Sequence, residues 1–202
     1  MDSIDVDIVL IIDRSGSMED IRKEAEGAIN SFIEAQKVIP GKAVISATHF
    51  DNVIEHLFGP VDIEDSPLVK INPRGMTALL DAIGSTVVNY VPRYGSTVYV
   101  VITDGHENCS REWNLDSVKN LIAECESRGD KFVFLAANQD AISAGATMGF
   151  SKGSSLTYNA SPVGLEGMSS AMVNYMTQTR SGLVAKFSDE DRANATGLTI
   201  ED

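Results

Sequence analysis

The chain is poor in cysteine, in aromatic residues, in positive charge and in long apolar runs. Two of its 202 residues are cysteines, Cys109 and Cys125. Two are too few for a disulfide framework, and neither their spacing nor the scattered His49, His56 and His106 forms a zinc pattern. Both are read as reduced thiols, which suits a cytoplasmic protein. No apolar run approaches the ~20 residues of a membrane span. The stretch MDSIDVDIV is acidic where a secretory leader begins basic, so neither membrane insertion nor export is expected. Lysine and arginine number 16 against 29 aspartates and glutamates, a net charge of −13. Such a balance argues against nucleic acid or an anionic membrane as the main partner, and it attracts cations. Like-charge repulsion between copies favours a monomer.

What is present is ordinary globular material: 43% hydrophobic and 22% charged residues. A chain of this length forms one domain and buries enough apolar surface to need no staple. The expected organisation is one domain over residues 1–180, then a polar tail over 181–202, loosely attached. Residues 6–12, VDIVLII, read as a strand buried on both faces. Residues 19–38 place Ile21, Ala25, Ala28, Ile29, Phe32 and Ile33 on one helical face before Pro40-Gly41. Strands are expected at 43–50 and 53–58, joined by Asp51-Asn52 as a hairpin. A weak helical turn is expected within 66–71, and a helix over 77–91. Strands at 97–102, 131–136 and 154–158 alternate with helices at 115–126, 140–148 and 162–179. The alternation predicts an α/β protein with a mostly parallel sheet, covered on both faces and carrying one antiparallel edge strand.

Ligands of such sheets sit beyond the carboxyl ends of the strands, where the strand order reverses. The first strand ends in Asp13-Arg14-Ser15-Gly16-Ser17, and TVYVVI ends in Thr103-Asp104-Gly105. If the two strands are neighbours, carboxylates and hydroxyls meet in one crevice, and Gly75-Met76-Thr77 can add a further hydroxyl. Asp13, Ser15 and Ser17 alternate, so an extended turn would direct all three side chains one way. An all-oxygen set on a short rigid loop suits Mg2+ or Mn2+ better than Ca2+ with its larger, looser shell.

Asp13, Ser15, Ser17, Thr77 and Asp104 resemble the metal-ion-dependent adhesion site of the von Willebrand factor A family, which reads D-x-S-x-S, then a distant Thr, then a distant Asp. The resemblance covers residues 5–180, and residues 74–83 (RGMTALLDAI) are similar to compact stand-alone bacterial and phage members. It implies a doubly wound, Rossmann-like three-layer sandwich. It also implies direct metal contacts from Ser15 and Ser17, a direct or water-mediated contact from Thr77, and water-mediated ones from Asp13 and Asp104. A carboxylate of a partner protein completes the coordination in ligand-binding members. Members mostly bind rather than catalyse, and several bacterial ones work beside an AAA+ ATPase or in stress-response modules, which is the partner class implied here.

Plainer readings stand beside these. Asp13, Ser15 and Ser17 can act as a plain helix cap, Ser17 standing ahead of the acidic Glu19 and Asp20. His106 and Glu107 read as a solvated loop, Arg14 and Arg74 as surface charge balance or partners for an incoming carboxylate, and Asp51 as a turn residue. Trp113 reads as a loop anchor, and Met148, Met168, Met172 and Met176 as core filler. A Mg2+-dependent phosphoesterase or phosphotransferase using Asp13 is the alternative function. It is disfavoured because Ser15 stands where the acid–base Asp is wanted and no suitable Lys is evident. Nucleotide binding lacks its glycine-rich fingerprint.

Overall fold

The structure, a computed structural model, describes residues 3–198. Strand β1 (Val6–Asp13) is buried along its whole length. It pairs in parallel with β2 (Ala43–Phe50) on one side and with β4 (Thr97–Thr103) on the other. With β3 (Ile54–Asp62), β5 (Lys131–Ala137) and β6 (Ser155–Tyr158), the sheet runs β3-β2-β1-β4-β5-β6. The β2–β3 pair is antiparallel and the other pairings are parallel. The chain turns one way from β1 to reach β2 and the other way to reach β4. The reversal of order therefore lies between β1 and β4, and it opens a crevice at their carboxyl ends.

The period-two alternation of β1 divides the core. Ile8, Leu10 and Ile12 share a cluster with Ala25, Ile29 and Phe32 of α1 (Arg22–Lys37) and Met168, Met172 and Met176 of α5 (Pro162–Arg180). Val9 and Ile11 share the opposite cluster with Leu79 and Ile83 of α2 (Leu79–Asn89) and Ile122 of α3 (Leu115–Ser127). Met148 of α4 (Ala141–Met148) joins that second cluster. The fold is thus the doubly wound three-layer α/β sandwich, with both sheet faces covered. No helix among the described residues is long and apolar enough to cross a membrane.

Three local expectations are corrected. Residues 66–71 hold no helical turn; a short 3-10 turn precedes them at Ile63–Asp65. The segment lies extended because α1 satisfies its backbone: Asn30 bonds both Val69 N–H and Val69 C=O, and Glu26 accepts from Ile71 N–H. Val69 and Ile71 are buried there. Strand β3 runs on to Asp62 instead of stopping at Phe58. Register shifts around Ala47 and a positive φ at Gly59 form a bulge that carries the strand through Gly59-Pro60. The segment 181–198 is not loosely attached. Phe187 and Ala195 are buried in the main core, and α6 (Asp189–Thr196) starts from a Ser188–Asp191 capping box. Arg192 donates to Ser155 C=O at 2.8 Å and Asn159 N–H donates to Ala195 C=O at 2.9 Å, so α6 closes the outer edge of β6. Only Phe187, Asp191 and Ala195 of this segment face inward at helical spacing. So thin a stripe leaves the segment polar in sequence.

Candidate metal centre

Asp13 is the last residue of β1, and its side chain is buried at the crevice. Its Oδ1 accepts the Ser15 N–H at 2.6 Å and its Oδ2 accepts the Thr103 hydroxyl at 2.6 Å. The chain stays extended only to Ser15. Residues Gly16–Ile21 then form a 3-10 turn, so the expectation of an extended run through Ser17 is corrected. The tight turn still brings the two hydroxyls together, 3.1 Å apart. Ser17 donates onward to Asp104 Oδ1 at 2.7 Å, which joins the end of β1 to the end of β4. Ser15 occupies the cap position of the 3-10 turn, but its side chain makes no capping bond. The cap reading therefore does not account for it.

Thr77 is buried and held from two sides. Its N–H donates to Asn108 Oδ1 at 3.0 Å, and Asn108 N–H donates to Thr77 C=O at 3.1 Å. The next amide, Ala78 N–H, donates to Asp51 C=O at 2.9 Å. Helix α2 starts from Ala78 without a side-chain cap bond, so capping does not occupy the Thr77 hydroxyl. A methyl group on Gly105 would lie 2.9 Å from Thr77 Oγ1 and 3.6 Å from Asp13 Oδ2. The bare glycine thus keeps open a small space that both oxygens border.

Burial pushes the Asp13 carboxyl up to about 6, against the opposing bonds from Thr103 and Ser15. Burial also raises Asp104, against the bond from Ser17. Neither carboxylate is ion-paired among the described residues. A divalent cation would offset both penalties. The residues present fit such an ion: hard oxygen donors only, two carboxylates for charge, and a cradle kept open by Gly105. The described residues hold no group of three or more His, Cys, Asp or Glu arranged for a metal. Coordination here would lean on neutral hydroxyls, which leave an ion electrophilic.

Several neighbours carry more than their sequence suggested. Arg14 and Arg74 do not wait for an incoming carboxylate; both pair with Asp51 and Glu55. Their guanidinium groups hold Glu55 down to about 2, Arg14 contributing most. Asp51 is a turn residue, accepting Val53 N–H at 2.7 Å, and is also buried among those arginines. Glu107 is a loop organiser: it accepts from Leu80 N–H, Cys109 N–H, Ser110 N–H and the Ser110 hydroxyl. His106 is exposed. Trp113 packs over Gly84 as a loop anchor, and Met148, Met168, Met172 and Met176 are core. Thr103 and Asn108, which hold Asp13 and Thr77 by hydrogen bonds, are the neighbours that the sequence did not single out. Thr103 had a usable signal, its place beside Asp104 at a strand end; Asn108 had none.

Residues 7–171 match the family model described as the von Willebrand factor type A domain. No curated protein sequence matches the chain. Among solved structures, proximal thread matrix protein 1 from the mussel byssus is similar over 87% of this chain and 46% of its own, at 14% identity and a TM-score of 0.66. Another structure of that protein, described as having a zinc-occupied MIDAS motif, aligns with a TM-score of 0.65, at 14% identity over 87% of this chain and 46% of that one. The ArnB paralog VWA2 from Sulfolobus acidocaldarius aligns over 87% of this chain and 45% of its own, at 20% identity and a TM-score of 0.59. The chain spans a little under half the length of these solved chains.

Proposed function

This chain belongs to the von Willebrand factor type A domain family, and from that premise we propose that it is a metal-dependent, non-catalytic protein-binding module. Ser15, Ser17 and Thr77 would hold Mg2+ or Mn2+, with Asp13 and Asp104 balancing its charge. The bound ion would supply an electrophilic position for one carboxylate oxygen of a partner protein. The observation that carries this reading is the convergence of Asp13, Ser15, Ser17 and Asp104 through hydrogen bonds, with the Thr77 hydroxyl bordering the same space beside Gly105 as the Asp13 carboxylate. Ser17 is exposed, with Met76 and His106 exposed beside it, so a protein surface can reach the edge of the site. The zinc-occupied motif described for the mussel protein supports a divalent ion in this family.

Phosphoryl transfer by Asp13 is less well supported. Asp13 is buried, and Ser15 stands two residues on, where a phosphoryl-transfer site wants an acid–base Asp. A cytoplasmic setting belongs to the same proposal and rests on the free thiols of Cys109 and Cys125.

The test is calorimetric titration with Mn2+ or Mg2+, followed by partner capture with and without EDTA. One ion per chain is expected, lost in Ser15→Ala/Ser17→Ala, with capture lost in parallel and the fold retained. An ion that binds the double variant as tightly as the wild type would overturn the assignment.

A further inference from the structure

Beside the metal centre lies a closed ring of four charged side chains. Arg14 sends Nε to Asp51 Oδ2 at 3.0 Å and Nη1 to Glu55 Oε2 at 2.7 Å. Arg74 sends Nε to the same Asp51 Oδ2 at 2.7 Å and Nη2 to Glu55 Oε1 at 2.7 Å. Each carboxylate thus bridges two guanidiniums, and each guanidinium bridges two carboxylates. The ring has a dry half and a wet half. The side chains of Arg14 and Asp51 are 7% and 1% exposed, those of Arg74 and Glu55 55% and 49%.

The ring joins three separate segments. Arg14 lies between Asp13 and Ser15, Arg74 lies three residues before Thr77, and Asp51 and Glu55 flank the β2–β3 turn. Backbone bonds run along the same seams. Arg74 N–H donates to Arg14 C=O at 2.8 Å, Gly16 N–H to Gly75 C=O at 3.2 Å, and Arg14 N–H to Phe50 C=O at 2.8 Å. Asp51, the buried corner of the ring, also receives Ala78 N–H on its carbonyl. Gly75 takes a positive φ, and a Cβ there would run into Asn52 of the turn, so the segments meet with no room for a side chain. We propose that the Arg14–Asp51–Arg74–Glu55 ring is the positioning device of the metal centre: it fixes Thr77 relative to Ser15 and Ser17, and so sets divalent-ion affinity without touching the ion. This inference rests on the metal-binding reading above.

Charge alone makes the opposite prediction for one variant. Arg74→Gln removes a positive charge near the site, so simple repulsion would leave cation binding equal or tighter. Loss of positioning weakens it. Arg74 is half exposed, so the fold should survive. Titration with Mn2+ alone is expected to show a loss of about 10-fold or more, the usual scale for an outer partner of a metal ligand. Arg74→Lys keeps the charge but not the two-carboxylate fork, and should fall short of wild type as well. In metal-free protein, amide exchange at Gly16 and Ala78 should quicken in Arg74→Gln, with the amides of β1 and β4 unchanged. Unchanged or tighter Mn2+ binding in Arg74→Gln overturns the proposal, as does unchanged exchange at both amides. A wild type that binds no Mn2+ overturns the metal-binding reading and the affinity half of this proposal. Exchange still judges by itself whether the ring holds the Thr77 loop.

Discussion

Asp13 and His49 titrate in overlapping ranges with opposite consequences. Burial, with Arg14 nearby, pulls His49 down to about 4, and its Nε2 has no partner. In an unfolded chain the imidazole takes its proton near 6.5. Between those values the unfolded state binds more protons, so this group removes stability as pH falls, by about 3 kcal/mol over the whole window. Asp13 does the reverse. Its folded value near 6 exceeds its unfolded 3.8, so the metal-free protein gains stability from it as pH falls through that range. The two contributions oppose each other in the metal-free wild type. His49→Gln should make the metal-free protein more resistant to urea at pH 4.5 than at pH 7, and Asp13→Asn should make it less so. Identical pH profiles in both variants would contradict the assignment. Glu55 acts lower: its stabilisation is present above 4.5 and lost as pH falls toward 2.

At the scale of elements, two helical glycines make a paired test. A Cβ at Gly27 of α1 would meet nothing within 4 Å. Gly27→Ala should therefore raise stability by about 0.5–1 kcal/mol through helix propensity. A Cβ at Gly84 of α2 would lie 2.0 Å from the Trp113 ring. Gly84→Ala should cost about 1–3 kcal/mol and shift Trp113 fluorescence as the indole is displaced. Chemical denaturation of both variants reads the sign directly. The loop that Trp113 anchors is also tied to the first turn of α2, where Asp81 accepts the N–H groups of Arg111, Glu112 and Trp113. Asp81→Ala should cost about 2–3 kcal/mol and speed exchange at those amides.

These elements also show what a sequence can and cannot announce. Asp13 and Asp104 were legible as crevice residues because each ends, or follows, an apolar run whose period declares a buried parallel strand. Thr77 was legible through its glycine-marked turn before a helix. The ring was not. Arg14 and Asp51 are 37 residues apart and Arg74 and Asp51 are 23 apart, and no periodicity pairs side chains across such distances. Residues 66–71 misled for a related reason: their backbone partners, Asn30 and Glu26, belong to a helix far back in the chain.

For the whole molecule, the last helix decides whether the sheet is finished. Phe187 packs on Tyr175 with ring centroids 5.1 Å apart, inside the main core. Phe187→Ala should cost about 3 kcal/mol by thermal or chemical denaturation, where a loose tail would cost nothing. The sequence understated this segment because its inward stripe is a single residue wide. Beyond stability, α6 stands guard over one flank of the sheet, as the kink at Gly59 and Pro60 does over the other. Both flanks are thereby denied to a stranger's backbone. A chain shortened before Ser188 would bare the carbonyl of Ser155 and the amide of Asn159 as a template. Its failure should then register in light scattering as polymerisation seeded from β6, ahead of any loss of helical signal.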